Sequence, residues 1–220
     1  MFNDFRGYDD NLRDAMISIP PTLLVSSLGV MQDIRTCQTM DFKFPGDIIY
    51  CLGATGDEIG GSEYLAYTGE KISGKRYVGN KVPEVRAGEF KKTYVAFEKA
   101  LRAGLVASST SIERGGLGVA LARSALAGML GAMISLEKAP GDAARDDVVL
   151  YSESQGRILV TVQPSKKNQF EDMFAGLPFA RIGEVSGPPS IEITGRNGGT
   201  IVRTDVDSLM KRYKGLFRDF

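Results

Sequence analysis

The chain has 220 residues, 43% of them apolar and 25% charged, with 27 Lys+Arg balancing 27 Asp+Glu. That length holds one good-sized domain, or a domain plus a fragment of another. The balanced charge, without a basic stripe or an aromatic-interleaved Lys/Arg cluster, argues against nucleic acid as a partner. Histidine is absent, which removes every Ser-His or Cys-His nucleophile arrangement and every His-containing metal site. Chemistry is left to carboxylates, Lys/Arg, backbone amides or a ligand supplied elsewhere.

The N-terminal MFNDFRGYDD is polar and acidic, unlike a signal peptide. Thr22 to Val30 (TLLVSSLGV) follows Pro20-Pro21 and reads as a strand; Asp47 to Gly53 (DIIYCLG) follows Pro45-Gly46 and reads as another. TMDFKFPG between them is a short extended link, which places a domain boundary near Phe44. Cys37 and Cys51 have neither C-x-x-C spacing nor the density of a secreted scaffold, which fits a reducing, cytoplasmic setting. Phe90, Tyr94, Phe97 and Leu101 make one apolar helix face that ends at Gly104.

Gly115 to Leu136 carries one charge, Arg123. A charge near the middle is costly in lipid, so a buried helix is expected rather than a membrane span, with Leu117, Ala120, Leu121, Ser124, Ala125 and Gly128 forming a small-residue face. Arg157 to Gln163 is a strand stopped by Pro164, and Ser165 is expected to cap a short helix carrying Phe170, Met173 and Phe174, closed by Gly176. FARIGEVS and SIEIT read as strands, and GRNGGT as a turn into IVRT. Asp205 caps a last helix with Val206, Leu209, Met210, Tyr213 and Phe217 inward. Strands alternating with helices predict a layered α/β fold, and the closely spaced late strands make its sheet mixed.

Four stretches stand out as candidate sites. Glu58-Ile-Gly60-Gly61-Ser62-Glu63-Tyr64 follows a strand; a Gly pair at a helix start either leaves amides free to attract phosphate or forms a tight turn. Arg114-Gly115-Gly116-Leu117 poses a similar alternative: free amides with Arg114 as a charge partner for an anion, or glycines that let a helix start against a neighbouring strand. In Ser152-Glu153-Ser154-Gln155-Gly156-Arg157, Glu153 can hold a metal or orient a substrate amine and pair with Arg157, or the run is a surface turn with a local ion pair. Arg196-Asn197-Gly198-Gly199 is a hairpin turn without assigned chemistry. No metal ligands are assigned.

In order along the chain, IPPTLLVSSLGVMQDIRTCQTMDFKFPGDIIYCLG, DEIGGSEY, GGLGVALARSALAGMLGA, LYSESQGRILVTV and FARIGEV resemble the C-terminal part of phosphoribosylformylglycinamidine (FGAM) synthases. The resemblance covers nearly the whole chain. It implies ATP- and magnesium-dependent amidation of formylglycinamide ribonucleotide in purine synthesis, and a layered α/β/α domain like the C-terminal domain of aminoimidazole ribonucleotide (AIR) synthetase. On that template residues 1–44 are the tail of an A domain, whose barrel-forming strands lack partners, and residues 45–220 are a B domain. Met1-Phe2-Asn3-Asp4 matches the end of a motif whose Gly-rich, metal-contacting residues would precede it. The implied partners are the N-terminal remainder of the synthetase, a glutaminase domain or subunit that supplies ammonia, and a second copy joined through open strand edges. The family's nucleotide then falls to Gly60, Gly61, Ser62, Arg114, Gly115 and Gly116.

The pattern departs from the family ahead of the second Gly pair. Thr110 stands at the family's histidine, and Ser111 at the aspartate that helps hold magnesium. Serine lacks the charge a hard cation prefers. Glu113 and Arg114 replace a small polar residue and an acid. Three readings follow: an FGAM synthase portion inactive alone, another enzyme of the AIR synthetase superfamily such as a selenophosphate synthetase, or a non-catalytic scaffold domain.

Overall fold

The computed structural model describes residues 4–18, 24–31 and 33–215. They divide into two compact units, Met1–Arg35 and Thr36–Phe220.

The first unit contains an antiparallel hairpin of β1 (Asp4–Tyr8) and β2 (Asp14–Ser18). Its turn is held by Asp9, whose Oδ1 accepts from the amides of Asn11 (2.8 Å) and Arg13 (2.9 Å), the local side-chain bonding that makes Asp a turn residue. The strand expected over Thr22 to Val30 does not form where it is described. Residues 24–30 have no regular structure, and Leu24, Val25, Leu28 and Val30 are exposed. Apolar composition favours a strand only when a neighbouring strand supplies the ladder.

The second unit follows the layered plan. Its elements are β3 (Ile48–Leu52), α1 (Glu63–Ser73), α2 (Ala87–Arg102), β4 (Ser108–Ser111), α3 (Gly116–Gly128), β5 (Gly131–Ser135), α4 (Asp146–Tyr151), β6 (Ile158–Val162), α5 (Lys167–Met173), β7 (Phe179–Ser186), β8 (Ser190–Thr194), β9 (Thr200–Asp205) and α6 (Val206–Gly215). The seven strands are ordered β4-β6-β3-β7-β5-β8-β9, antiparallel except for the β5–β8 pair.

Every residue of β3 and β6 is buried, because helices cover both faces there and a strand covered twice is apolar throughout. On one face Ile48, Tyr50, Leu52, Ile158, Val160 and Val162 pack against Ala96 and Ala100 of α2 and Phe170 and Phe174 around α5. On the other, Ile49, Cys51 and Leu159 meet α3, α4 and Val206 of α6. The 36–44 link belongs to this second core: Phe42 is 2% exposed and its amide donates to the Ser124 carbonyl at 3.1 Å.

Four expectations change. The fully buried residues of α2 are Thr93, Ala96 and Ala100, with Phe97 and Leu101 packed beside them as expected, while Tyr94 is 48% exposed; small residues bring the helix close to the sheet. Gly115 to Leu136 is not one helix but α3 and β5, separated at Met129, which adopts a left-handed φ of 52°. Ser165 does not cap α5, whose first turn grows from a 3-10 turn over Pro164–Lys166 without a side-chain cap. Asp205 does cap α6, accepting from the Ser208 amide at 2.7 Å, but Tyr213 is 70% exposed because the helix runs off the core; Phe217 lies outside the described residues. Both cysteines are free, Cys37 exposed and Cys51 buried.

Candidate functional site

Three of the candidate stretches meet at one point. Ser62 caps α1, its Oγ accepting from the Leu65 amide at 3.2 Å. The next amide, Glu63 N–H, donates to Glu153 Oε1 at 2.9 Å. The same oxygen accepts the Gly115 amide at 2.8 Å, at the start of α3. One carboxylate oxygen thus serves two helix N-termini, where unpaired N–H groups and the helix dipole both favour negative charge.

The Gly-Gly amides have partners within the chain. Gly60 N–H donates to the Lys81 carbonyl and Gly61 N–H to the Val78 carbonyl, each at 2.6 Å, and Gly116 N–H donates to Glu113 O at 2.9 Å. At Gly116, with φ of 66°, a Cβ would sit 2.5 Å from the Leu150 carbonyl. Glycine there lets α3 begin against the end of α4, not against a strand. Arg114 forms an ion pair with Glu63, and its guanidinium hydrogen bond holds the Glu63 carboxyl below the usual carboxylate range.

Arg157 does not pair with Glu153. Only 1% exposed, it donates to the carbonyls of Ser154 (3.1 Å) and Ser152 and to Thr55 Oγ1 (2.9 Å). Burial pushes its pKa down, opposed by the nearby carboxylates of Glu58 and Glu153. The strand register of β6 decides this: the side chain preceding Ile158 points into the fold, and its planar fork holds the 152–154 bend that aims Glu153 at the helices.

Glu58, Ser152 and Ser154 complete the network, although the sequence reading gave them no role. Ser154 Oγ donates to Glu58 Oε2 at 2.7 Å and accepts the Gly56 amide at 3.0 Å, while Ser152 Oγ donates to Gly56 O at 3.1 Å. Nearby, Tyr64 stacks on Tyr151 with ring centroids 4.6 Å apart and planes 3° from parallel. Two serines flanking Glu153, and a tyrosine two residues after the capping serine, were the available signals. Glu58, Glu84, Arg86, Phe90, Ser154 and Gln155 line a pocket of about 30 Å³, far below the roughly 300 Å³ or more of a small-molecule site.

Ser111 ends β4 and is exposed. Among the described residues no group of three or more Asp, Glu, Cys or His is placed to hold a metal. The donor set therefore does not fit magnesium, and the amides of Gly60, Gly61, Glu63, Gly115 and Gly116 are already engaged. Arg196 to Gly199 forms the β8–β9 turn, closed by Gly195 N–H to Gly199 O at 3.0 Å.

Residues 45–196 match the family described as AIR synthase related protein, C-terminal domain. The chain belongs to this family. The PurL subunit of phosphoribosylformylglycinamidine synthase from Alkaliphilus metalliredigens is 33% identical over 201 residues, which are 90% of this chain and 26% of that protein. The PurL subunit from a Thermoanaerobacter species is 34% identical over 211 residues, covering 94% and 27%. The chain thus spans about a quarter of the length of the curated relatives it matches. Thermotoga maritima PurL complexed with FGAR superposes with a TM-score of 0.68 at 21% identity, over 80% of this chain and 30% of that one. The hydrogenase maturation protein HypE in complex with ATP superposes at 0.55 and 17% identity, over 78% and 54%; at such identity the likeness is one of fold. The motif resemblance to FGAM synthases and the mixed α/β architecture are both borne out. No helix among the described residues of this AIR synthase-related chain is long and apolar enough to cross a membrane.

Proposed function

We propose that the chain works as one portion of an FGAM synthase, in the ATP-dependent amidation of formylglycinamide ribonucleotide in the cytoplasm, and is inactive by itself. The observation that carries this reading is the 33% identity to a PurL subunit over 90% of the chain, against 26% of that subunit's length. In this reading residues 1–44 are A-domain strands and residues 45–220 the B domain. The remainder of the synthetase supplies the nucleotide, magnesium and substrate contacts, and a glutaminase domain or subunit supplies ammonia. The exposed Leu24, Val25, Leu28 and Val30 support pairing of the first unit with that remainder or with a second copy.

Within the assembly the B domain serves as scaffold. The observation favouring this role is that the amides expected to cradle phosphate are bound to Glu153 and to backbone carbonyls. Two measurements test the proposal. Combining the chain with the preceding part of the synthetase is expected to restore ammonia-dependent FGAM formation, and turnover by the 220-residue chain alone would refute the portion reading. Titration calorimetry of the chain with Mg-ADP is expected to show no heat of binding. A micromolar Kd, roughly −8 kcal/mol, would overturn the scaffold role and return the nucleotide to Gly60, Gly61, Ser62 and Gly115.

A further inference from the structure

Residues 57–86 leave the sandwich after β3 and return at α2. The segment holds α1, none of whose residues is buried, and then a stretch without regular elements. It is folded largely on itself. Gly60 and Gly61 donate to Lys81 and Val78, Asp57 pairs with Lys81, and the space beside Gly69 is filled by Tyr77. Its two stems are tied together by Glu58, which accepts the Glu84 amide at 3.3 Å and lies 3.8 Å from the Arg86 guanidinium.

The contacts that fasten the segment to the sandwich come from residues 58–64. Glu58 accepts from Ser154 (2.7 Å), Glu63 N–H donates to Glu153 (2.9 Å), Glu63 pairs with Arg114, and Tyr64 stacks on Tyr151. Ile59 of the segment packs against the core. An attachment made of a few polar contacts, one ring stack and one partly buried apolar side chain, all at one end, opens at lower cost than a buried apolar face. Glu153 is the central fastening because its one oxygen binds both the strap, at Glu63, and the sandwich, at Gly115. Arg157 presets it by gripping the bend on either side, at Ser152 and Ser154.

We propose that residues 57–86 form a strap, held shut by the Glu153 carboxylate, that opens as one body while the sandwich stays folded. Opening separates the starts of α1 and α3 and uncovers the Glu63 and Gly115 amides together. Opening takes the Glu153 acceptor from the start of α1, and an 11-residue helix is marginal in water, so the α1 amides exchange more readily while the strap keeps its internal contacts.

Hydrogen exchange read by mass spectrometry on the full chain tests this. In Glu153→Ala, amides of residues 60–73 are expected to exchange about tenfold faster, with those of β3 and β6 unchanged. In Glu153→Gln, which keeps an acceptor oxygen but loses the charge facing two helix starts, the acceleration is expected to be about threefold and confined to the same residues. Equal acceleration in β3 and β6 would make Glu153 an ordinary stabilising residue of the whole fold, and unchanged exchange at residues 60–73 would remove its fastening role. Either result overturns the proposal. If Glu153→Ala does not fold, the Glu153→Gln protein decides by the same comparison.

Discussion

At the scale of single residues, Asp47 and Arg157 carry the two clearest predictions. Asp47 is 2% exposed, and its Oδ2 has no hydrogen-bond partner among the described residues. Burial raises its carboxyl above the ordinary range, against the lowering effects of the Phe44 backbone and Lys166. A carboxyl whose native pKa is raised binds its proton more tightly folded than unfolded, so stability falls as pH rises from the ordinary value toward the native one. Asp47→Asn is therefore expected to raise stability by about 1 kcal/mol at pH 7. The gain is expected to disappear below about pH 4, as followed by thermal melts across pH. Arg157→Lys loses the planar fork that satisfies Ser152 O, Ser154 O and Thr55 Oγ1, and is expected to cost roughly 2–3 kcal/mol in urea unfolding. The spacing of Glu153 and Arg157 suggested an ion pair. The two side chains instead leave the bend in different directions, a difference set by the register of β6 and not by separation along the chain.

At the scale of elements, α3 shows how composition can be legible while a boundary is not. Its buried residues, Gly116, Leu117, Ala120, Leu121, Ser124 and Ala125, match the small face expected from periodicity, because that face is a property of the helix alone. The break between α3 and β5 rests on Met129 in a left-handed conformation, a place where glycine is the usual local signal. Neighbouring substitutions should have opposite signs. At Gly128 a Cβ would collide with the Phe42 carbonyl oxygen and come within 2.9 Å of its amide nitrogen. Gly128→Ala is thus expected to cost about 1–3 kcal/mol despite better helix propensity. Met129, 48% exposed, lacks such a neighbour constraint, and Met129→Gly is expected to gain about 0.5–1 kcal/mol by relieving the positive φ. Denaturant midpoints of the two variants check both signs. Strands β4 and β5, SSTS and GAMIS, escaped the sequence reading because their short, small-residue runs have no alternation of their own and are ordered by β6, β7 and β8.

At the scale of the whole molecule, the two units differ in what they bury. The buried apolar residues among those described run from Phe42 to Val206, all within the second unit. Removing residues 1–35 is therefore expected to change the unfolding free energy from denaturant titration by no more than about 0.5 kcal/mol. Leu24, Val25, Leu28, Val30 and Ile34 are all exposed, and large apolar side chains exposed close together mark an interaction surface. The full chain is expected to elute from size exclusion above the mass of a monomer, and residues 36–220 at that of a monomer. Full-chain elution as a monomer would show that this stretch finds no partner in a second copy.

Legible in the sequence were the α/β class, strands β3 and β6, the small face of α3, the Asp205 cap and the family motifs. Each is written in local periodicity, in the chemistry of one or a few neighbouring residues, or in an ordered set of short motifs. Which groups meet was settled by the fold. Glu153 lies 90 residues from the Glu63 amide and 38 from that of Gly115, and the carbonyls that engage Gly60 and Gly61 come from an irregular return segment. A Gly-Gly helix start announces that amides need an acceptor. Whether the acceptor is a phosphate or the chain's own carboxylate depends on what the fold brings to that point, because hydrogen bonds are satisfied by proximity in space.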